Sequence, residues 1–290
     1  MSVLILGTFD GVHIAHRQLI KEAKKAGKEI IACTFSSPFS GQKQLTPPLE
    51  KEILLKEYGV DQVFMEEFSV IRNLSAEEYI KNLCEKFKPE KIITGFNHSF
   101  GKNAQGNPMV LSLLGKKYNF IPVTVPPVKE NDIIVSSTYI RNLLLSGEKE
   151  KATELLGRHY SLSGNTVHGR YIGNTIDFPT INTEISKDKL IPQSGVYATF
   201  VRVLNKTYKG MTNVGTNPTV TDENSISVET HILGFNENIY GKDAQIFFVK
   251  KIRDDKKFDS LTELKNQLSD DALLINAYLD TVKGAVSLNK

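Results

Sequence analysis

The first half of the chain alternates short apolar runs with stretches in which apolar residues recur at helical spacing. Each run is rich in Ile, Val or Phe and is closed by a turn-forming residue, which is typical of a buried strand. The strand-like runs are Val3–Leu6, Ile30–Phe35, Gln62–Met65, Lys91–Thr94 and Phe120–Val125, and the helix-like stretches are Ile14–Lys25, Leu49–Tyr58, Ala76–Phe87 and Val110–Tyr118. This alternation predicts a parallel sheet covered on both faces, with a ligand site at the carboxyl ends of its strands.

After residue 157 the strand-like runs follow one another through Gly, Asn and Pro turns, with no helical stretch between them. These runs are Tyr160–Val167, Val196–Leu204, Thr207–Val214, Ile226–Leu233 and Ala244–Lys251. They predict an antiparallel barrel or sandwich. The length of 290 residues also favours more than one core, so we predict two domains, residues 1–157 and 158–290.

A last amphipathic stretch, Ser260–Val282, is predicted to form a helix that packs on the second domain. Its apolar residues at roughly helical spacing are Leu261, Leu264, Leu268, Leu273, Leu274 and Ile275.

The composition is that of a packed protein, with 40% hydrophobic and 24% charged residues. The net charge of +3 is too small and too evenly spread to indicate a nucleic-acid partner. Two cysteines, Cys33 and Cys84, cannot form a disulfide framework and are interpreted as reduced thiols. The first apolar run is too short for a signal peptide, and no run is long enough to cross a bilayer. We therefore predict a cytoplasmic protein without a membrane partner.

The segment after the first apolar run, residues 7–16, reads GTFDGVHIAH and joins a strand to a helix. Gly7 and Gly11 bound a turn, and His13 and His16 are three residues apart, which places them on one helical face. A helix N-terminus offers unpaired amides and positive potential to an anion, and imidazoles beside it add donors for phosphate oxygens. The arrangement suits attack on a phosphorus of ATP, although two histidines seen alone would more often merely flank a turn.

The second half contains a polar pair within the segment Phe178–Asn182. Thr180 and Asn182 are two residues apart in extended chain, so both face one side and could ligate a Mg²⁺ that bridges ATP phosphates. The alternative is a turn with two surface polar residues. Glu229 lies in an apolar run and faces the same side as His231; a carboxylate there is costly unless it has a partner or a function. We interpret His231 as a packing or hydrogen-bonding residue.

Residues 136–141 read SSTYIR, which places the hydroxyls of Ser137 and Thr138 at a helix start and Arg141 one turn further on. This forms a second anion-binding end, although the same pattern seen alone also fits an ordinary N-cap.

Together these segments resemble the bacterial bifunctional riboflavin kinase/FMN adenylyltransferases, also called FAD synthetases. The first loop resembles that of the nucleotidylyltransferase half, Gly95–Lys102 resembles its glycine-bracketed flavin and nucleotide loop, and SSTYIR resembles its SSTxxR motif. Phe178–Asn182 resembles the PTxN signature of riboflavin kinases, and the segment from Arg253 to Phe258 resembles their IRxxxKF segment. The resemblance extends over nearly the whole chain.

The resemblance implies a Rossmann-like nucleotidylyltransferase domain with a parallel sheet, followed by a mainly antiparallel β-barrel riboflavin kinase domain with a terminal helix. It implies that Glu229 accepts the proton of the 5′-hydroxyl of riboflavin while Mg²⁺ and amides stabilise the transferring phosphoryl group of ATP. His13 and His16 are the implied catalytic residues for conversion of FMN to FAD. The implied partners are riboflavin, FMN and ATP, and the protein is expected to be a monomer or weak oligomer.

The expected binding residues divide by ligand. For ATP and its phosphates they are Gly7, Phe9, Gly11, Ser137, Thr138, Arg141, Thr180 and Asn182; for the flavin they are Asn97 and Arg253; and Thr180 and Asn182 are also the expected metal ligands.

Two departures from the family motifs keep a second hypothesis open. Ala15 stands where the family has Gly, and Ser36–Ser40 lacks the acidic residue and histidine that the family carries after this strand. The alternative is a riboflavin kinase with a weakened or inactive adenylyltransferase domain. A third hypothesis, a non-catalytic flavin- or nucleotide-binding regulatory protein, is disfavoured by the presence of Thr180, Asn182 and Glu229 together, because binding alone needs no positioned base.

Overall fold

The structure, a computed structural model, describes residues 1–36, 41–167, 178–219 and 222–282, with backbone only for 216–219 and 222–225. The chain divides into two compact units, Met1–Ile140 and Arg141–Lys290. This division falls inside a helix, and the domain boundary at residue 157 stays a prediction. Across the described ranges, no helix is both long enough and apolar enough to cross a membrane.

The first unit is built on a five-stranded parallel sheet, in the order β3-β2-β1-β4-β5. Its strands are β1 (Ser2–Leu6), β2 (Glu29–Phe35), β3 (Gln62–Glu66), β4 (Pro89–Gly95) and β5 (Ile121–Val125). Its helices are α1 (Ile14–Lys24), α2 (Pro48–Glu57), α3 (Phe68–Ile71), α4 (Ala76–Phe87) and α5 (Pro108–Tyr118), and a short hairpin of β6 (Lys129–Glu130) and β7 (Ile133–Ile134) follows. The predicted parallel α/β fold is confirmed.

Both faces of this sheet are buried, because successive side chains of a strand point to opposite faces and helices cover each face. The core beneath α1 and α2 includes Val3, Ile5, Leu19, Ile20, Leu54 and Leu55. The core beneath α4 and α5 includes Leu4, Leu6, Ile80, Leu83, Leu111 and Leu114. Strand β1 is the central strand of the sheet, and all five of its residues are buried.

Local sequence sets the helix ends in this unit. Ser75 and Glu78 form a reciprocal capping box at the start of α4. Asn107 accepts hydrogen bonds from two amides of α5, and Pro108 occupies its first turn. Asn119 ends α5 in the left-handed conformation that Asn tolerates.

The second unit contains a closed six-stranded barrel in which every neighbouring pair of strands is antiparallel. Of the two predicted architectures, the antiparallel barrel is therefore confirmed and the sandwich is not. Helix α6 (Ser137–Leu145) crosses the division between the units, and α7 (Lys149–Leu156) precedes the barrel. The strands, in the order β10-β11-β12-β9-β8-β13, are β8 (Tyr160–Val167), β9 (Ile181–Ile185), β10 (Gly195–Val203), β11 (Lys206–Thr219), β12 (Asp222–Ile232) and β13 (Asp243–Arg253). The terminal helix, α8, spans Leu261–Thr281.

Helix α8 packs on the outer face of the barrel, as predicted. It does so through a narrow apolar stripe that does not include all of its leucines. Ile275 and Leu279 are buried in a core with Val196, Phe247 and other outward-facing barrel residues. By contrast, Leu261, Leu273 and Leu274 are 58%, 72% and 55% exposed. These three leucines therefore lie off the packed face, because a helix on a barrel buries only a stripe of its surface.

A row of threonine hydroxyls crosses the barrel interior. Thr212 on β11 lies 2.8 Å from the hydroxyl of Thr199 on β10 and 2.9 Å from that of Thr230 on β12, and all three residues are fully buried. A hydroxyl can both donate and accept, so Thr212 can bond both of its neighbours, and the row pairs polar groups that the barrel excludes from water.

Replacing Thr212 with Val should lower the free energy of unfolding of the barrel by about 1–3 kcal/mol, because Val keeps the shape but leaves two buried hydroxyls short of a partner. Differential scanning calorimetry would measure the shift of the barrel transition. Thr207→Val is the matched control, since Thr207 is exposed on the same strand and should change stability by less than about 0.5 kcal/mol. Equal transitions for the two variants would contradict the role of the threonine row.

Candidate active sites

A cavity of about 400 Å³ lies at the carboxyl ends of β1, β4 and β5 in the first unit. The sheet order explains its position, because the chain leaves β1 toward β2 on one side and later adds β4 on the other, so the loops after β1 and β4 diverge. The predicted site residues that line this cavity are Gly7, His13, His16, Asn97, Ser137 and Thr138.

The loop between β1 and α1 is held in an uncommon conformation. Phe9 and Val12 have φ of 49° and 37°, a left-handed region that is costly for residues other than glycine, and both are fully buried. The amide of Gly11, where φ is 86°, donates to Thr46 Oγ1 at 2.8 Å, and the amide of Thr46 donates to Asp10 Oδ1 at 3.0 Å. Phe9 and Gly11 thus shape the loop and are not among the described residues that line the cavity. Their assignment to ATP stays a prediction.

The two histidines of this loop stack on each other, with ring centroids 3.6 Å apart. His13 is the N-cap of α1, and its Nδ1 accepts a hydrogen bond from the amide of His16 at 3.4 Å. Ser137 donates its hydroxyl proton to the carbonyl of Asp10 at 2.8 Å and lies 3.4 Å from Nε2 of His13. Because Nδ1 accepts and the serine proton is engaged, Nε2 of His13 carries the proton and donates to Ser137.

The start of α6 agrees with both interpretations of the SSTYIR segment, as a helix N-cap and as part of a ligand site. Ser136 accepts a hydrogen bond from the amide of Tyr139 at 3.2 Å, as an N-cap does, while Ser137 and Thr138 line the cavity. Arg141 follows one turn after Ser137 in the same helix and is partly buried. The role of Arg141 at ATP phosphates stays a prediction.

The loop after β4 adds Asn97, which is exposed, and His98, whose amide closes a turn on the carbonyl of Gly95 at 3.1 Å. Burial lowers the pKa of His98 to about 4, so its imidazole is uncharged at neutral pH. Ala15 also lines the cavity, so its methyl group occupies space that a glycine would leave open. Of the Ser36–Ser40 stretch, residues 37–40 lie outside the described ranges.

The second unit carries a cavity of about 230 Å³ on the outer face of the barrel, beside the start of α8. Its apolar wall is formed by Phe178, Val196, Met211, Phe258, Leu264 and Leu268. Three predicted site residues, Thr180, Glu229 and Arg253, also line it. The partly buried carboxylate of Glu229 thus lines a mainly apolar cavity.

Strand register places two asparagines on either side of Glu229. Asn213 on β11 and Asn182 on β9 lie directly opposite Glu229 on β12, so all three side chains share the outer face of the barrel. Oδ1 of Asn213 and Nδ2 of Asn182 are buried atoms without a hydrogen-bond partner in the described part of the chain. Unpaired buried amides are costly, and a bound ligand would satisfy them. Asn182 is not itself among the residues that line the cavity, and Asn213 was not predicted as a site residue.

Thr180 lines both this cavity and a second one of about 270 Å³. The second cavity is lined by Pro179, Thr180, Ile181, Phe235, Glu237 and Tyr240, among others. Ligands in the two cavities could therefore both contact Thr180. His231 stabilises the segment before Thr180, because its Nδ1 lies 2.8 Å from the carbonyl of Pro179 and its ring contacts Phe178, in agreement with its interpretation as a hydrogen-bonding residue.

An ion pair links Arg253 to the terminal helix. Nε of Arg253 donates to Oδ2 of Asp271 at 2.9 Å, and Gln267 donates to Oδ1 of the same carboxylate at 2.9 Å. The side chains of Arg253 and Asp271 are only 19% and 5% exposed. The guanidinium lies 5.7 Å from the ring centroid of Phe258, on the cavity wall. Asp271 was not predicted, because in the sequence it cannot be told from the adjacent Asp270.

The oxygen ligands of this site suit a hard cation bound together with phosphate. In the described ranges, no group of three or more His, Cys, Asp or Glu is placed to hold a metal ion. Thr180 and Asn182 supply a hydroxyl and an amide, which are ligands that Mg²⁺ accepts when substrate phosphates and water complete its shell.

Both halves of the chain match known families. Residues 1–139 match the FAD synthetase family and residues 156–279 match the riboflavin kinase family. Bifunctional riboflavin kinase/FMN adenylyltransferases from Buchnera aphidicola and Listeria monocytogenes are each 34% identical to the chain; the alignments cover 97% and 93% of this chain and 95% and 90% of the relatives.

A crystal structure from Streptococcus pneumoniae, titled a macrolide-efflux protein, is similar over 95% of this chain and 93% of its own, with 31% identity and a TM-score of 0.86. That title describes the pneumococcal protein, whereas the curated relatives above carry the name of the bifunctional enzyme.

Replacing Asp271 with Asn should destabilise the second unit by about 2–4 kcal/mol, because Arg253 would lose its partner in a largely buried pair. The thermal transition of the barrel measures this loss. Asp270→Asn is the matched control, since Asp270 is the exposed neighbour on the same helix and should have an effect of less than about 0.5 kcal/mol. If both variants unfold like the parent, the ion pair does not hold α8 on the barrel.

Proposed function

Because the chain belongs to the bifunctional riboflavin kinase/FMN adenylyltransferase family, we propose that its two cavities carry out successive ATP-dependent steps of flavin cofactor biosynthesis. The second unit phosphorylates riboflavin to FMN, and the first unit adenylylates FMN to FAD. The observation that carries the proposal is the position of Glu229, which opens on an apolar cavity that shares Thr180 with a second cavity.

In the second unit, riboflavin occupies the 230 Å³ cavity, where the apolar wall covers its ring and Arg253 lies at the polar edge. ATP occupies the cavity on the other side of Thr180. Glu229 accepts the proton of the ribityl 5′-hydroxyl as the hydroxyl oxygen forms a bond to the γ-phosphorus and ADP leaves. The supporting geometry is that Glu229 and Thr180 line one cavity while Thr180 also lines the other.

We propose Mg²⁺ as the divalent cation of this step, held by Thr180 and Asn182. When bound with ATP, the cation would neutralise the phosphate charge that otherwise repels the attacking oxygen. Thr180 orients the phosphates where the two cavities meet. Asn182 lies beside Glu229 and would bind the cation through its carbonyl oxygen, while its unpaired Nδ2 can donate to a phosphate oxygen or water.

In the first unit, ATP lies along the loop from Gly7 to His16 and the start of α6. A phosphate oxygen of FMN forms a bond to the α-phosphorus, the bond to the β-phosphate breaks, and pyrophosphate leaves. His16 donates to the oxygens on which charge develops, and so does His13 once ATP displaces its Nε2 contact to Ser137; the start of α6 at Ser137 and Thr138 binds phosphate through the helix N-terminus. The stacked rings and the Ser137 contact keep the two imidazoles at one end of the cavity.

One observation favours a second candidate, a riboflavin kinase whose adenylyltransferase unit is slow. The methyl group of Ala15 lines the first cavity, where it narrows the approach of a phosphate chain to α1. Product analysis with riboflavin, ATP and Mg²⁺ distinguishes the candidates: FMN followed by FAD supports two activities, and FMN alone supports the second candidate. If neither product forms, the chain is not a flavin kinase.

Glu229→Gln should reduce FMN formation about 10²- to 10⁴-fold, since the amide cannot accept the proton of the 5′-hydroxyl. The rate of FAD formation from supplied FMN should be unchanged, because that reaction belongs to the other unit. Chromatographic separation of riboflavin, FMN and FAD measures both rates. Glu184→Gln, a change on the neighbouring strand at an exposed position, should leave both activities intact. FMN formation at the parent rate by Glu229→Gln would refute the assignment.

His16→Ala should lower FAD formation from FMN by at least about 10²-fold while leaving FMN formation unchanged, because it removes a donor to the developing phosphate charge but keeps His13 as the N-cap of α1. The kinase activity of the same variant is the internal control. A variant that retains the parent rate of FAD formation would exclude His16 from the reaction.

A further inference from the structure

A lysine is buried beneath the loop of the first cavity. Lys51 lies on α2 and is 3% exposed, on the same inward face as Leu54 and Leu55. An ammonium group on the core side of a helix is costly, and lysines are rarely buried to this degree without a defined role. The exposed lysine of the same helix, Lys56, instead pairs with Glu52 at 2.6 Å on the surface.

The ammonium of Lys51 reaches the end of β2, where it binds two groups. Nζ donates to the carbonyl of Phe35 at 3.0 Å and lies 3.4 Å from the hydroxyl of Thr34. Thr34 in turn donates to the carbonyl of Thr8 at 2.9 Å. Since Thr8 and Phe35 both line the 400 Å³ cavity, this chain of contacts connects Lys51 to two walls of the cavity.

The charge of Lys51 is held close to the nucleotide loop. Burial lowers the pKa of Lys51 to about 8, and the nearby carboxylate of Asp10 opposes this shift. Lys51 is therefore mostly protonated at neutral pH. Its other contacts, Thr34 and the carbonyl of Phe35, are uncharged, so Asp10 is the ionisable group whose field acts on it most directly in the described structure.

We propose that Lys51 is a positioning residue for adenylyl transfer: it fixes the loop that carries His13 and His16 against the end of β2, and it supplies a positive charge beneath the triphosphate. The inference rests on the proposed binding of ATP in this cavity. Lys51 does not touch the substrate in this role; it acts through Thr34 and Thr8 and through its field, which a low-dielectric interior screens less than water does.

The test compares Lys51→Met and Lys51→Arg with Lys56→Met in the full-length chain. Lys51→Met should raise the KM for ATP in FAD formation about tenfold, the scale of one lost charge interaction, with a smaller change in kcat. Lys51→Arg should restore most of the affinity because it keeps the charge. Lys56→Met should match the parent. Riboflavin phosphorylation by each variant is the internal reference and should not change.

The pH profile separates this role from a purely structural one. In the parent, kcat/KM for ATP in FAD formation should fall as the pH rises above about 8, as Lys51 loses its proton, whereas Lys51→Arg should retain activity to higher pH. Lys51→Met should lack this alkaline limb. Parent-like KM and pH dependence in Lys51→Met would overturn the proposal. If Lys51→Met does not fold, identical profiles for the parent and Lys51→Arg would overturn it instead.

A second measurement is needed if the parent protein makes no FAD. That result would refute the proposed adenylyl transfer but not the positioning role of Lys51. Hydrogen–deuterium exchange of residues 7–16 should then be faster in Lys51→Met than in Lys56→Met, because Thr34, which donates to Thr8 of the loop, loses the ammonium group that holds its hydroxyl. Equal exchange in the two variants would overturn the positioning role.

Discussion

Polar groups that folding removes from water need partners, and this requirement organises both units of the protein. Inside the barrel the fold itself supplies the partners, as in the row formed by Thr199, Thr212 and Thr230. Beside Glu229 it does not, because Asn182 and Asn213 each have a buried atom left unpaired. The contrast distinguishes the structural interior from the outer face, where the unpaired atoms face the proposed riboflavin kinase site.

Hydrophobic patterning predicted the two folds because both follow from local periodicity. Strands that alternate with helices require a parallel sheet, and successive strands joined by turns require antiparallel pairing. Strand alternation paired Thr180 with Asn182 and Glu229 with His231, but it was the resemblance to riboflavin kinases that assigned Thr180 and Glu229 to one site, and both line the same cavity. Patterning was less informative for α8, because an apolar residue at helical spacing, such as Leu273, need not lie on the stripe that the barrel covers.

Residues whose role depends on long-range contacts could not be found in this way. Asp270 and Asp271 are adjacent and identical in type, yet only Asp271 is buried against Arg253. Lys51 and Lys56 lie on one helix, yet only Lys51 reaches the end of β2. In each pair the helix phase decides between surface and interior, and the partner comes from a distant part of the chain. Sequence motifs identify the residues that are proposed to contact ligands. They do not identify the residues that hold those side chains and loops in place.

The burial of Lys51 serves the proposed adenylyl-transfer site but lowers the stability of the folded state. A lysine with a lowered pKa in the folded state binds fewer protons than in the unfolded state between pH 8 and 10.5, so its burial as a cation costs stability below pH 8 and the cost fades as the pH rises. A neutral side chain of similar volume would avoid that cost. The fold retains the cation beneath a loop whose Phe9 and Val12 are also held in unfavourable backbone conformations. The buried cation and the strained backbone are two independent destabilising features at the loop that carries His13 and His16. Such departures from local folding preferences are expected at functional sites.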